Sequence, residues 1–176
     1  VVAAPMVGGA AGATVHMVID DGDAWWRFAA EWWVGDGLGV LVVGASLLAL
    51  RASTARGAVP AGVVERVAFL ALSCVATLMA FRLDWFALVY LPLALLFVIA
   101  VRAGTRDVAV VGALVAFIAA EGTARGHRFW DVIEVDNGTG LLYLQLALGV
   151  VISSALAMAA ALSEREMSTL ARSTAE

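Results

Sequence analysis

Four polar side chains stand at the edges of apolar runs, where a chain of this kind carries few: His16, Asp36, Glu121 and Gln145. Two carboxylates, an imidazole and an amide that both donates and accepts are the parts of a small polar pocket. Such a pocket would bind a cation or the donors of a ligand, or hold Arg125 or Arg128 in an ion pair. Zinc is not expected, because His16 and His127 have no third ligand at usable spacing. The single Cys74 excludes an internal disulfide and any multi-cysteine metal site. There is no Ser-His-Asp order, no HExxH and no phosphate-binding glycine loop, so no catalytic residue, metal or cofactor is expected.

The elements that position these groups follow from composition. Of 176 residues, 62% are apolar and 15% charged, whereas soluble domains are about half apolar and a quarter charged. This places the chain in a lipid bilayer. All eleven basic residues are Arg, and no basic patch speaks for nucleic acid. The chain starts with Val, which reads as a processed product, a fragment or an unusual start, and its first residues lack the charged region of a signal peptide. Six apolar runs lie near 1–19, 32–50, 64–81, 86–101, 108–124 and 140–162, against the roughly 20 apolar residues a spanning helix needs. The expected fold is therefore an all-α polytopic transmembrane bundle of about six membrane helices. Between the runs lie an acidic loop (20–28), an Arg-bearing loop (51–62), a tight turn (82–84), a basic turn (102–107) and a mixed loop (125–138). Pro92 falls inside the fourth run, where a kink is expected.

Arg-rich short loops stay in the cytoplasm. Alternating the loops puts Arg51, Arg56, Arg66, Arg102, Arg106, Arg165 and Arg172 inside and Arg27, Arg82, Arg125 and Arg128 outside, with a cytoplasmic C-terminus. Trp25, Trp26, Trp32, Trp33, Trp85 and Trp130 then all fall at the outer boundary, where amphipathic rings are best solvated. On this topology His16, Asp36, Glu121 and Gln145 each lie about one helical turn, roughly 5 Å, below the outer edge. An ionised group at mid-bilayer costs about 2.5–3.5 kcal/mol, and less near the interface. Two readings stand: a polar pocket open to the outside, or acids that only pair with an arginine or cap a helix end.

Other features have plainer readings. Gly8 with Gly12, Gly35 with Gly39 and Gly122 with Gly126 form G-x-x-x-G pairs, which let helices approach closely. Ser73, Cys74, Thr77, Ser153 and Ser154 suit back-bonding to carbonyls one turn earlier, or packing. The last run continues without a stop into LSEREMSTLARSTAE, with Leu162, Met167 and Leu170 near heptad spacing. The domain reading is a membrane bundle over 1–162 and a cytoplasmic helical connector over 163–176, suited to a homodimer through the last helix.

Three stretches resemble the first-described class of MASE domains, the membrane-associated sensor domains of bacterial histidine kinases and diguanylate cyclases. WWVGDGLGVLVV (32–43) resembles that family's W-W-x-G-D-x-x-G stretch. The run from Leu88 to Gly126 resembles its long hydrophobic pair closed by G-T-A-R-G. The run from Leu141 to Glu166 resembles its last helix, with an L-Q pair near the start. The resemblance makes Trp33, Gly35, Asp36, Gly39, Gly122, Thr123, Arg125, Gly126 and Gln145 motif positions, with Trp32 beside them. Ala45 departs from the family, which often has Pro there. Family members usually begin with further hydrophobic helices and end in a cytoplasmic output domain. The chain accordingly reads as the C-terminal three quarters of a sensor domain without its effector.

The implied function is a non-catalytic signal-input module of the bacterial inner membrane. It senses an extracytoplasmic or membrane cue and passes it through the last helix to a cytoplasmic effector domain. An Asp36–Arg125 pair, buried or half-buried, is the expected lock or switch. The alternative is a stand-alone accessory subunit packed in a larger membrane complex. A transporter would want broken helices or paired mid-membrane charges, and only Pro92 and shallow charges are found.

Overall fold

The computed structural model describes residues 3–19, 25–51, 62–83, 86–126 and 137–173. They form six α-helices: α1 Ala3–Ile19, α2 Trp25–Arg51, α3 Val63–Arg82, α4 Tyr90–Arg102, α5 Thr105–Ala124 and α6 Asn137–Ser173. A 3-10 turn, Phe86–Val89, leads into α4, and no strand occurs among the described residues. Each helix coincides with an apolar run, because backbone amides in lipid must find their partners within the segment. α2, α3, α5 and α6 are long and apolar enough to cross a membrane. α1 and α4 are shorter, at 17 and 13 residues. The 3-10 turn adds about 8 Å to the roughly 20 Å rise of α4, which brings that arm near the thickness of a hydrocarbon core.

The head of α2 and the effect of Pro92 differ from the hydropathy reading. α2 starts at Trp25, inside what reads as an acidic loop. Ala29, Ala30 and Glu31 are good helix formers, and the Arg27 Nε–Glu31 Oε1 pair at 3.2 Å spans one turn. Trp25 Nε1 also donates to Thr14 Oγ1 at 3.2 Å, tying this turn to α1. Pro92 causes no mid-helix break. It sits in the first turn of α4, where its missing N–H has no intrahelical acceptor to lose. Trp85, His127, Arg128, Trp130 and the acidic loop at 20–23 lie outside the described residues.

α5 is the hub. Its buried residues, Val108, Ala109, Val111, Gly112, Val115 and Ala119, repeat at helical spacing, and it packs on α2, α3, α4 and α6. The main core joins Val42 of α2, Leu96 and Ile99 of α4, Val108 and Val115 of α5, and Ile152 and Leu156 of α6. Ser46 Oγ donates to the Ala109 carbonyl at 3.2 Å across the buried α2–α5 contact. A smaller cluster of Ala80, Phe81, Ala119 and Leu144 fills the other end of α3, α5 and α6. The residues facing away are large and apolar, among them Val43, Leu48, Val64, Val75, Phe117 and Val150, as a lipid-facing surface requires. Gly104, between α4 and α5, has φ 86°, and Gly126, just past α5, has φ 84°. Both conformations are costly for any residue with a Cβ.

Candidate functional site

The W-W-x-G-D stretch is the seam where α1, α2 and α6 meet. Gly9 of α1 approaches α2 so closely that a Cβ there would lie 2.8 Å from the Ala29 carbonyl oxygen and 3.2 Å from the Trp33 nitrogen. One turn on, a Cβ at Gly12 would lie 3.2 Å from the Trp32 ring, and one at Gly8 would lie 3.3 Å from Asp36 Oδ2. On the α6 side, a Cβ at Gly35 would lie 3.3 Å from Gln145 Nε2. One turn further along, Leu38 presses on Gly149. The glycines thus set the helix spacing, and Asp36 and Gln145 lie to either side of Gly35. Gly39 has open space beside it.

Asp36 is more than one turn inside α2, because the helix begins eleven residues earlier, at Trp25. Its side chain is exposed and, among the described residues, makes no hydrogen bond or ion pair. Arg125 has a nearer partner than Asp36. Its Nη2 is 2.7 Å from Glu121 Oε1, one turn back on the same helix, where i,i+4 geometry brings the two together with no interhelical demand. The expected Asp36–Arg125 pair is therefore replaced by Glu121–Arg125. Beside it, Thr123 Oγ1 donates to the Ala119 carbonyl at 2.9 Å, and Gly122 accommodates the Phe81 ring, 2.7 Å from where a Cβ would sit.

The four polar groups do not converge on one pocket. Asp36 and Gln145 share a level through Gly35, but His16 stacks on Phe28 at 4.0 Å between ring centroids. Phe28 in turn stacks on Trp32 at 5.7 Å, so His16 belongs to an aromatic ladder about 12 Å of helix rise from Asp36, toward the start of α2. Glu121 lines a separate groove between α3 and α5, of about 190 Å³, with Leu78, Arg82, Phe117 and Arg125. Which way each helix turns its polar residue depends on interhelical packing, which spacing along one chain does not encode.

Sequence reasoning also missed two features. The first is an apolar cavity of about 250 Å³ among α3, α4, α5 and α6, lined by Thr77, Phe81, Pro92, Leu93, Ala119 and Leu144, among others. Its signal was the small residues Ala80, Ala119, Gly140 and Ala147 on facing helices. The second is a pair of ion pairs at the opposite end of the bundle. Arg102 Nη2 lies 2.9 Å from Glu65 Oε1, and Arg66 Nη2 lies 2.9 Å from Asp107 Oδ2. Together they fasten the start of α3 to the α4–α5 turn. Opposite charges on loops assigned to one membrane side were the available clue.

A helical bundle with lipid-facing apolar surfaces and a glycine-spaced polar seam defines the class, an integral membrane protein. The MASE1 family model matches residues 1–166, and the chain belongs to that family of membrane-associated sensor domains of signalling proteins. Such domains are sensory rather than catalytic. Neither a curated protein nor a solved structure matches the chain.

Proposed function

We propose that this chain is the signal-input module of a bacterial inner-membrane receptor, multi-pass, with its C-terminus in the cytoplasm. It responds to an extracytoplasmic or membrane cue and passes the response through α6 to a cytoplasmic output domain. The observation that carries the reading is the close approach of Gln145 to Gly35, with Nε2 3.3 Å from where a Cβ would sit, because Gln145 sits on the helix that runs unbroken to Ser173. From Gln145 to that end is about 42 Å of continuous helix. Residues 139–162 include its buried positions, such as Leu144, Ile152 and Ala159, whereas Glu164, Arg165 and Met167 are exposed. We read residues 1–162 as the sensing bundle and 163–176 as the connector, with two copies meeting through the connector.

A change at the seam that shifts α6 by a fraction of its packing would bias two arrangements of the output. About 1.4 kcal/mol of differential stabilisation changes their ratio tenfold. The test joins the chain to a dimer-dependent reporter domain and compares Asp36→Asn and Gln145→Leu with wild type. Each variant is expected to change output severalfold at unchanged membrane insertion. Wild-type output from both would remove the seam from the mechanism.

A further inference from the structure

The groove between α3 and α5 has the layered chemistry of a phospholipid. Its apolar lining is Leu78, Phe81, Phe117 and Ile118, and its end nearer the C-termini of both helices carries Arg82, Glu121 and Arg125. Arg82 lies one turn beyond Leu78, and Arg125 two turns beyond Phe117, so the apolar side chains stand deeper and the guanidiniums shallower. Leu78 is 47% and Phe117 67% exposed, an apolar wall open to its surroundings, which suits a hydrocarbon chain and not water. Glu121 neutralises Arg125, with Nη2 and Oε1 2.7 Å apart. Arg82 has no ion-pair partner among the described residues. Among the described residues, two guanidiniums against one carboxylate leave the groove one positive charge in excess, complementary to a single anionic phosphodiester.

We infer that this groove binds one anionic phospholipid, its phosphate on Arg82 and Arg125 and one hydrocarbon chain along Leu78, Phe117 and Ile118. Gly122 makes room for this arrangement. The Phe81 ring packs against it, 2.7 Å from where a Cβ would be, and lines both the groove and the neighbouring apolar cavity. A zwitterionic ethanolamine lipid matches less well, because its ammonium group would have to sit among the two guanidiniums. A free phosphate lacks the hydrocarbon that the exposed apolar wall takes. Lipid occupancy of this groove is independent of whether the bundle carries a signal.

The test is lipid retention by the full chain, read by native mass spectrometry from detergent with added phosphatidylglycerol, phosphatidylethanolamine, diacylglycerol or inorganic phosphate. Phosphatidylglycerol is expected to be retained in preference to the other three. Arg82→Gln is expected to lower that retention about fivefold, the effect of one interfacial basic residue. Glu121→Gln, which removes the opposing charge, is expected to raise it, an effect that damage to the fold would not produce. Equal retention of phosphatidylethanolamine, retention of phosphate alone, or an Arg82→Gln protein that retains phosphatidylglycerol like wild type would each overturn the assignment.

Discussion

The spacing of this bundle rests on single atoms. At Gly9 the space a methyl group would need is taken by the Ala29 carbonyl and the Trp33 nitrogen, both backbone. Neither yields without moving a helix. Gly9→Ala is therefore expected to destabilise the bundle by about 1–3 kcal/mol, the usual cost of overpacking. Gly39→Ala, with nothing within 4 Å, is expected to be neutral or to stabilise by up to about 1 kcal/mol through helix propensity. Thermal unfolding of the two variants in the same detergent checks the pair, and equal effects would contradict the close approach of α1 to α2. At this scale the sequence was informative about identity and uninformative about direction. The W-W-x-G-D and G-T-A-R-G residues stood out as a group. That Gly35 faces α6, Gly8 faces Asp36 and Arg125 turns back to Glu121 depends on helix rotation, which only the assembled packing sets.

At the scale of elements, the apolar runs foretold all six helices, since hydropathy over about 20 residues is the one signal a bilayer enforces. It failed at the head of α2, where Arg27 and Glu31 lower the hydropathy of a turn that their mutual pairing and two alanines keep helical. It also failed at Pro92, whose effect depends on where in a helix it falls. The two ion pairs joining α3 to the α4–α5 turn are partly exposed, with side-chain exposures of 61% and 31% for Arg102–Glu65 and 42% and 23% for Arg66–Asp107. Solvent screening therefore limits each to about 0.2–1 kcal/mol. Double-mutant cycles on Glu65→Gln with Arg102→Gln, and on Arg66→Gln with Asp107→Asn, are expected to give couplings in that range that shrink as salt rises. A coupling of several kcal/mol that ignores salt would mean these pairs are shielded from solvent.

For the molecule as a whole, α6 is, among the described helices, the one that both touches the polar seam and runs on past the packed core. Gln145 meets Gly35 at one end, Ile152 packs on Gly112 of the hub helix in the middle, and the exposed turns from Glu164 lead away. The length of α6 was legible in the sequence, because no Gly or Pro interrupts Val150–Glu176. Its engagement with the seam was not. A rigid rod transmits rotation, so its output depends on helical phase. The most direct measurement inserts one, two, three, four and seven alanines after Ser163 and reads a dimer-dependent reporter joined beyond Ser173. Each residue turns the exit by about 100°, and seven return it to within about 20° of its starting phase. Transmission through a rigid α6 predicts output that rises and falls with that phase and recovers at seven. Output that stays constant, or that falls steadily with added length, would contradict transmission through α6.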